Sequence, residues 1–517
     1  MPAVPCTLSP VPCNLRMSDF NFLMEARLSP EQFQVIQYLS RVASAQGLNL
    51  YLAGGAVRDL TCGQQVVRDL DFVVEGSPGK ILRQLQGKPR AGTDAVPFQV
   101  TFEEYDSHRN SAEVIFSNGV RAEISMARNE TYERPGKKPA VEPATIFEDL
   151  RRRDFAVNAM AISLHPNSRG LLLDPTNGAG DIERRELRAM HSRSFSEEPV
   201  RIYRLLRLAL RLDFKVEERT EIWRANSLGY GAAERLDDEQ QGTELRSILR
   251  EANPGRVLKA LAEQKLLSGL DRKLASGRLP LDQFAKVRSV AQTIPGADPF
   301  LVNFHCLVSR LGGSERKRLA DKILPDRKEA RTALELEAVA KKLARLLASS
   351  KASLPSQAFT LLEGQPPHVL VFLLANFPQA KVQNRVKNFL FKFPTVRAGV
   401  PRAELLTLGL EPGPKFEKIV HQLFLLQLDG KIKNHPQLIK EFRSIAGIKE
   451  PPKPPEPKPE PRPAPKPEVK HLPPKPSKFV TPPETKPAPP ARAAKTAKPA
   501  MPKKKFRKAT KKPKNKR

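Results

Sequence analysis

The sequence predicts a small α/β head, followed by a helical remainder and a disordered basic tail. Short apolar runs separated by Gly and Asn turns occupy residues 29–176, whereas Leu, Ala and Lys recur at helical spacing through residues 177–448. From Lys449 the chain becomes rich in Pro and Lys, a composition that cannot bury a core. The domains expected are a flexible arm over 1–28, a head over 29–176, a helical neck over 177–270, a helical body and tail over 271–448, and a disordered segment over 449–517.

The elements of the head follow from local signals. Ser29 before Pro30 is typical of a helix start, which predicts a helix to about Ala45. Apolar runs predict a strand over Asn49–Ala53 and another over Leu70–Val74, with a helix beginning near Val57.

Three alternating segments then predict further strands, over Val96–Phe102, Ala112–Phe116 and Gly119–Met126. Asn118-Gly119 between the last two predicts a tight hairpin turn. Together with the two earlier strands, these segments predict a mixed sheet that ends near Leu164.

The neck contains a helix with two distinct faces, predicted over Pro199–Leu212. Its apolar residues include Ile202, Leu205 and Leu206. Four arginines, spaced three, three and four residues apart, share another face: Arg201, Arg204, Arg207 and Arg211. A solvated face is the usual interpretation of such spacing, and a face that binds an anionic ligand is the alternative.

The charge of the chain points to a polyanionic partner. It has 517 residues and a formal net charge of +31, for which nucleic acid is the simplest partner and an acidic membrane surface the rival. No apolar run approaches the roughly 20 residues of a spanning helix, so we expect no membrane segment. The start of the chain lacks the basic and apolar regions of a secretory signal, and four cysteines without metal-ligand spacing favour a reducing compartment. We therefore expect a cytoplasmic protein.

The stretch Leu52–Glu75 carries the strongest chemical signal. Asp69 and Asp71 are spaced so that both project from one face of a strand, where two bare carboxylates repel each other unless they hold divalent cations. The glycine pair Gly54-Gly55 lets the backbone approach a phosphate closely. These residues predict a metal-dependent phosphoryl- or nucleotidyl-transfer site, for which Glu123 on a later strand is the candidate third acid. Each signal taken alone is weak.

Ordered motifs farther along the chain increase the specificity of this prediction. Arg152-Arg153-Asp154-Phe155 follows the head strands, and Glu198-Pro199-Val200-Arg201 begins the arginine-lined helix. With G-G-x-V-R-D and D-x-D upstream, the set resembles the class II tRNA nucleotidyltransferases, a family that includes CCA-adding enzymes, A-adding enzymes and bacterial poly(A) polymerases. The resemblance is strong from about Leu50 to Phe214 and weaker to about Ile432.

The resemblance implies a polymerase-β-like head, Mg²⁺ as cofactor, and addition of CCA or the terminal A to the tRNA 3′ end from CTP and ATP. Asp69, Asp71 and Glu123 would be catalytic, with Asp69 and Asp71 as the metal ligands. Arg128 matches an arginine beside the active site. The residues implied in nucleotide binding are Gly54, Gly55, Arg58, Arg153, Asp154, Glu198, Arg201, Arg204 and Arg207.

One departure from the family pattern concerns base selection. The family has Glu-Asp before Pro-x-x-Arg, whereas this chain has Glu197-Glu198, whose second carboxylate is one methylene longer. The sequence leaves open whether C, A or both are added. It also leaves open poly(A) tailing, a catalytically inactive RNA-binding module, and the oligomeric state. The segment 449–517 carries 22 basic and 5 acidic residues, a net +17 that we expect to attract RNA without sequence preference.

Overall fold

A computed structural model describes residues 17–64, 67–86, 100–134, 138–276 and 279–448. The predicted tail over 449–517, residues 1–16 and part of the strand predicted from Val96 lie outside these ranges. Strands occur in the first half of the described chain, and helices make up nearly all of the second. The strands are β1 Leu50–Ala53, β2 Leu70–Val74, β3 Val100–Asp106, β4 Ser111–Phe116, β5 Arg121–Met126, β6 Arg128–Thr131, β7 Ala140–Pro143, β8 Ala161–Ser163, β9 Leu172–Leu173, β10 Glu186–Leu187 and β11 Lys215–Val216.

The helices follow in chain order. Those up to the end of the predicted neck are α1 Met17–Arg27, α2 Pro30–Ala45, α3 Gly55–Thr61, α4 Gly79–Gln86, α5 Ile146–Arg151, α6 Gly178–Arg184, α7 Ser194–Glu197, α8 Arg201–Leu212, α9 Glu218–Gly229, α10 Asp238–Leu249 and α11 Pro254–Glu263. The remaining helices are α12 Arg272–Ser276, α13 Leu281–Ala291, α14 Phe300–Val308, α15 Gly313–Ile323, α16 Arg327–Ala348, α17 Pro355–Leu362, α18 Pro367–Asn376, α19 Ala380–Lys387, α20 Phe393–Ala398, α21 Arg402–Thr407, α22 Pro414–Leu428 and α23 His435–Ala446.

The head is built on a seven-stranded mixed sheet in the order β3-β4-β5-β2-β1-β8-β9. Neighbouring strands are antiparallel except for β2 and β5, which run parallel. The predicted mixed sheet and the hairpin between β4 and β5 are confirmed, as is the helical remainder. Two short pairs lie outside this sheet: the antiparallel β6 and β7, and the parallel β10 and β11.

Helix α2 begins as its sequence predicts. The Ser29 hydroxyl accepts a hydrogen bond from the Gln32 amide, and the Gln32 side chain accepts one from the Ser29 amide. The apolar face of α2, which includes Val35, Ile36 and Leu39, is fully buried. These contacts anchor α2 in the core of the head.

The chain before α2 differs from the predicted flexible arm of residues 1–28. Its second half forms α1, and Phe20, Leu23 and Met24 of this helix are buried in the same core as α2. These apolar residues recur at spacings of three and one, which gives α1 one side that packs. The apolar contact was not expected because Phe22, an exposed apolar residue away from the buried side, leaves α1 almost without an amphipathic pattern.

The apolar core continues from the head into the helices. Residues from Leu52 and Phe72 of the sheet through Leu205 and Leu258 to Leu347 and Phe372 belong to one contiguous cluster. A second cluster, around Phe359, Leu405 and Phe416, packs the last helices. No single described helix is long and apolar enough to cross a membrane; the bent pair α17 and α18 meets that test by length and composition only.

Candidate active site

Three predicted acids lie at one end of the central strands. Asp71 on β2 is the register partner of Glu123 on the parallel strand β5, so their side chains emerge side by side on one face. Asp69, two residues before Asp71, is exposed and lies just before β2. All three line one cleft of about 1400 Å³, which also borders α10 and α15.

The glycine pair lies against the same acidic face. Ala53 at the end of β1 is the register partner of Asp71, and the following Gly55 amide donates a hydrogen bond of 3.3 Å to Asp71 Oδ2. Gly54 has a φ of +65°, where a side chain is strained, and a methyl group there would lie 2.7 Å from Arg153 Nη1. The turn therefore requires glycine for both its conformation and its close approach to Arg153.

The acidic face has a strong electrostatic signature. Burial, together with the charges of Glu123 and Asp69, raises the pKa of Asp71 to about 7 against the opposing effect of Arg153. A carboxyl group in this state gains from a cation placed beside it, since the cation offsets both burial and repulsion. The hard oxygen donors of the three acids suit such an ion.

The R-R-D-F motif is held in place by buried ion pairs. Arg153 Nη2 donates to Asp149 Oδ2 at 2.9 Å, and Asp149 is fully buried beneath it. Asp154 Oδ2 accepts from Arg204 Nη1 at 2.9 Å, while its Oδ1 accepts from the Phe155 amide and the Asn158 side chain. Burial raises the pKa of Asp154, but Arg204, Arg201 and Asn158 outweigh it and hold that pKa at about 2.

Arg58 is buried rather than directed at the cleft. Its side chain pairs with Asp59 at 2.7 Å and donates to Asn158 Oδ1 at 2.6 Å. Asp59 also accepts from Arg211 at 2.6 Å. The structure therefore shows Arg58 bracing the helix after the glycine pair against α8, with its guanidinium engaged inside the protein.

Glu198 and Arg201 form a pair at the start of α8. Arg201 Nε donates to Glu198 Oε2 at 2.7 Å, and its Nη1 donates to the Ser194 hydroxyl at 2.8 Å. The phenol of Tyr132, at the end of β6, donates to Glu130, and burial with the charges of Glu198 and Glu130 raises its pKa. Tyr132 is thus an electrostatic neighbour of the Glu198–Arg201 pair.

The two following arginines of α8 point to α10. Arg204 and Arg207 both donate to Glu244, at 3.4 and 2.6 Å, and Arg207 also donates to Glu251 at 3.2 Å. Glu244 and Glu251 are buried acids seven residues apart. The solvated-face interpretation of α8 is wrong, because these cations meet buried carboxylates.

Comparisons with known proteins identify this arrangement. Residues 50–188 match the model of the poly A polymerase head domain. The chain is 27% identical over 437 residues to the A-adding tRNA nucleotidyltransferase of Geobacter sulfurreducens, which covers 81% of this chain and 47% of that relative. It is 36% identical over 248 residues to the CC-adding tRNA nucleotidyltransferase of Deinococcus radiodurans, covering 47% of this chain and 62% of the relative.

These matches show that the chain is similar to the class II tRNA nucleotidyltransferase family. It spans less than two thirds of the length of the relatives just named. A solved apo structure of a CCA-adding enzyme is 25% identical, with a TM-score of 0.44, and covers 83% of this chain and 98% of that one.

Nucleotidyltransferases of this family are generally metal-dependent. Across the described residues, no three His, Cys, Asp or Glu side chains form a ready-made set of metal ligands. The acids nevertheless fit a magnesium-type ion by donor chemistry and charge, because Mg²⁺ is commonly held by one or two carboxylates together with substrate phosphates. The convergence of Asp69, Asp71 and Glu123 on a common pair of ions stays a prediction.

Within this family framework, the structure adds four residues that the sequence interpretation did not single out. Asp149 and Asn158 flank the R-R-D-F motif and hold its arginine and aspartate. Glu244 and Glu251 on the α10 side neutralise the arginine face of α8. Their seven-residue spacing matches two helical turns, which was the signal available in the sequence.

Arg128, the remaining predicted site arginine, is also internally paired. Its Nε donates to Glu130 Oε1 at 2.9 Å, and its carbonyl accepts from Arg152. Arg128 therefore links β6 to the R-R-D-F motif.

Proposed function

We propose that the protein transfers nucleotides from CTP or ATP to the 3′ end of tRNA, with release of pyrophosphate. The observation that carries the proposal is the acidic face formed by Asp71 and its register partner Glu123, beside the Gly54-Gly55 turn. It is supported by the similarity to that family and by a raised pKa at the centre of the acidic face. The excess of positive charge on the chain suits an RNA substrate.

In this proposal Asp69 and Asp71 hold Mg²⁺, and Glu123 is the assisting carboxylate. Ions held by these residues would supply the Lewis acidity that activates the 3′-hydroxyl and the positive charge that offsets the charge developing on the phosphates. The hydroxyl oxygen attacks the α-phosphate, the bond to the β-phosphate breaks, and pyrophosphate leaves with its electron pair. Gly54 and Gly55 allow the triphosphate close to the backbone, and Arg153 places a positive charge beside it.

Arg58 and Asp154 have supporting roles in this proposal. Arg58 braces the helix that follows the glycine pair, through Asp59 and Asn158, instead of touching the phosphates directly. Asp154 stays ionised and fixes Arg204 on α8. Both residues therefore act on the nucleotide through the backbone and side chains that they hold.

We further propose that Glu198 and Arg201 select the base. Their mutual hydrogen bond and the Ser194 contact hold the guanidinium in one orientation, so it presents fixed donors to a base edge. Arg204 and Arg207 hold α8 against α10 and preserve this orientation. The extra methylene of Glu198 bears on whether cytosine, adenine or both are accepted.

Labelled-nucleotide addition tests the proposal. Purified full-length protein is incubated with Mg²⁺ and with tRNA transcripts that end either before CCA or after CC, each with CTP alone, ATP alone or both. Addition of CCA, of CC, of a single A, or of a long A tail separates the CCA-adding, CC-adding, A-adding and poly(A) alternatives on a sequencing gel. Names of relatives in the family support the first three, and the poly A polymerase head match supports the last.

The matched control is Asp71→Asn, which removes one charge and keeps the size of the side chain. We expect it to bind tRNA like the unchanged protein and to add no nucleotide. RNA binding without addition by either protein would instead favour a catalytically inactive RNA-binding module. A cytoplasmic location and the tRNA-holding role of the helices over 177–448 belong to the same proposal.

A further inference from the structure

Two arginines face the cleft from the side of α10. Arg246 lies in α10 and Arg250 directly after it, four residues apart, so both side chains occupy one helix face. Both line the cleft that contains Asp69, Asp71 and Glu123. The helical wall therefore places two adjacent cations across the cleft from the three acids of the head, although acids such as Asp326 and Glu329 also line that wall.

Both guanidinium groups stack on the same aromatic ring. The carbon Cζ of Arg246 lies 5.2 Å from the centroid of the buried Phe300 ring, and that of Arg250 lies 5.0 Å from it. Cation–π contact fixes the planes of the two groups without consuming their N–H donors. The two guanidinium groups are thus held in fixed orientations, and N–H groups remain available to donate hydrogen bonds to a ligand.

Among the residues that the structure describes, the donors of Arg250 have no acidic partner. Arg246 approaches Glu329 at 2.8 Å, but in the described part of the chain Arg250 forms no ion pair, and its buried Nε has no hydrogen-bond partner. A half-buried cation whose buried Nε has no hydrogen-bond partner is unfavourable by itself. Burial, and then the neighbouring positive charge of Arg246, lower the pKa of Arg250, and Asp298 offsets this only in part.

We propose that Arg250, with Arg246 beside it, is a seat for a phosphate group of the RNA strand whose 3′ end reaches the acids. This inference rests on the proposed function. An anionic oxygen would supply the missing partner, and a planar guanidinium suits phosphate well. The chemistry alone would also suit the triphosphate of the incoming nucleotide.

The position of the cleft favours RNA over the nucleotide. Among the described residues that line the cleft, neither glycine of the Gly54-Gly55 turn nor Arg153 occurs. The protein residues proposed to bind the nucleotide therefore lie on one side of the acids, and Arg250 lies on another side. A reaction between two phosphate-bearing substrates needs both approaches.

RNA binding without nucleotide or metal tests the seat directly. Fluorescence anisotropy with a tRNA that ends in CC is measured for the unchanged protein, Arg250→Gln and the control Arg331→Gln across a series of salt concentrations. Arg331 is an exposed arginine of α16, away from the cleft. We expect Arg250→Gln to weaken binding about tenfold and to reduce the slope of log K against log salt by about 0.7–0.9, as loss of one phosphate contact does. Arg331→Gln changes neither quantity.

Further measurements distinguish a phosphate of the RNA from the triphosphate of the nucleotide, and they test whether the variants are folded. Thermal unfolding is compared for all variants, and Arg250→Lys, which keeps the charge but loses the planar fork, should bind with an intermediate affinity. In the addition assay, Arg250→Gln should raise the KM for tRNA and leave the KM for the nucleotide unchanged.

If a folded Arg250→Gln protein keeps the RNA affinity and the salt slope of the unchanged protein, the proposal is overturned. A rise in KM that is confined to the nucleotide also overturns it, because that result assigns the site to the triphosphate. The binding arm needs no turnover, so it remains decisive if the proposed enzymatic function fails.

Discussion

Asp71 on β2 and Glu123 on β5 are direct register partners on adjacent parallel strands. This pairing joins residues 52 positions apart into one acidic face, next to the backbone amide of Gly55. Its consequence is a carboxyl group whose pKa lies near neutrality unless a cation is present. The proposed chemistry depends on this relationship.

Removing the charge of Asp71 should abolish turnover without removing the substrate. Metal-ion stabilisation of a phosphoryl-transfer transition state is worth several kcal/mol, so Asp71→Asn should lower the rate of nucleotide addition by about 10³-fold or more. Single-turnover assays with saturating tRNA measure the chemical step. A matched control is Glu142→Gln on β7, an acid outside the acidic face, which should retain full activity. Comparable rates in Asp71→Asn and the unchanged protein would falsify the assignment.

Metal binding should be linked to pH through Asp71. The pKa of Asp71 is raised from its ordinary value to about 7, so the metal-free protein carries a proton there at pH 6, and a bound cation displaces it. We expect apparent Mg²⁺ affinity to rise with pH up to about 7 and then to level off. Calorimetry at pH 6 in two buffers of different ionisation enthalpy should detect proton release, which Asp71→Asn eliminates.

The same raised pKa has a defined effect on stability. Asp71 contributes to the stability of the metal-free protein because the folded state holds its proton more tightly than the unfolded state does. This contribution is fully present at pH values below the unfolded-state pKa near 3.8, and it is lost as the pH rises through the folded-state pKa of about 7. The stability of Asp71→Asn, measured relative to that of the unchanged protein, should therefore be greater at pH 8 than at pH 5. Thermal unfolding in chelator measures this difference, and an equal difference at the two pH values would contradict it.

Gly54 should be intolerant of a methyl group for two reasons. Its φ is +65°, which costs an alanine about 1–2 kcal/mol, and the methyl would also displace Arg153 from the glycine turn. Gly47→Ala is a matched control, because Gly47 has a φ of +64° and no atom within 4 Å of the added methyl. Gly54→Ala should lose more stability than Gly47→Ala on thermal unfolding, because only Gly54→Ala adds a clash to the strained φ, and only Gly54→Ala should lose nucleotide addition. Full activity in Gly54→Ala would refute the close-approach role.

Glu244 should be far more important for stability than an exposed acid on another helix. It is buried and accepts from both Arg204 and Arg207, so Glu244→Gln leaves these two partly buried cations short of one counter-charge, at a cost of about 3 kcal/mol. The control Glu335→Gln breaks an exposed pair with Arg331 and should change stability by less than about 1 kcal/mol. Thermal unfolding at pH 7 compares the two. Equal shifts would mean that α10 does not depend on this ion-pair network.

Deleting residues 449–517 should reduce RNA affinity in a salt-dependent way. The segment carries a net charge of +17, whose attraction to phosphates weakens as salt is added. Filter binding of tRNA at low and high salt should therefore show a larger loss at low salt. The same loss at both salt concentrations would remove electrostatic attraction from the role of the tail.

Local signals in the sequence determined many elements of the fold. The Ser29 cap with Pro30, the apolar runs of β1 and β2, and the Asn-Gly hairpin each depend on neighbours within a few residues, and the structure confirms them. The ordered motifs also identified the family, because the types and spacing of their residues are visible without coordinates. Helix α1 was missed, since its burial arises from contacts with α2 and α3 rather than from its own periodicity.

The tertiary structure alone decided which charges meet. The sequence shows four arginines on one face of α8, but not that Glu244 and Glu251 neutralise two of them, or that Arg58 turns inward to Asp59 and Asn158. Likewise, only folding aligns Glu123 with Asp71 and leaves Arg250, on the wall of the cleft, without an ion pair among the residues that the structure describes. Electrostatic energy depends on distance and burial, which link residues far apart in the chain, whereas helix caps and turns are set by the residues next to them.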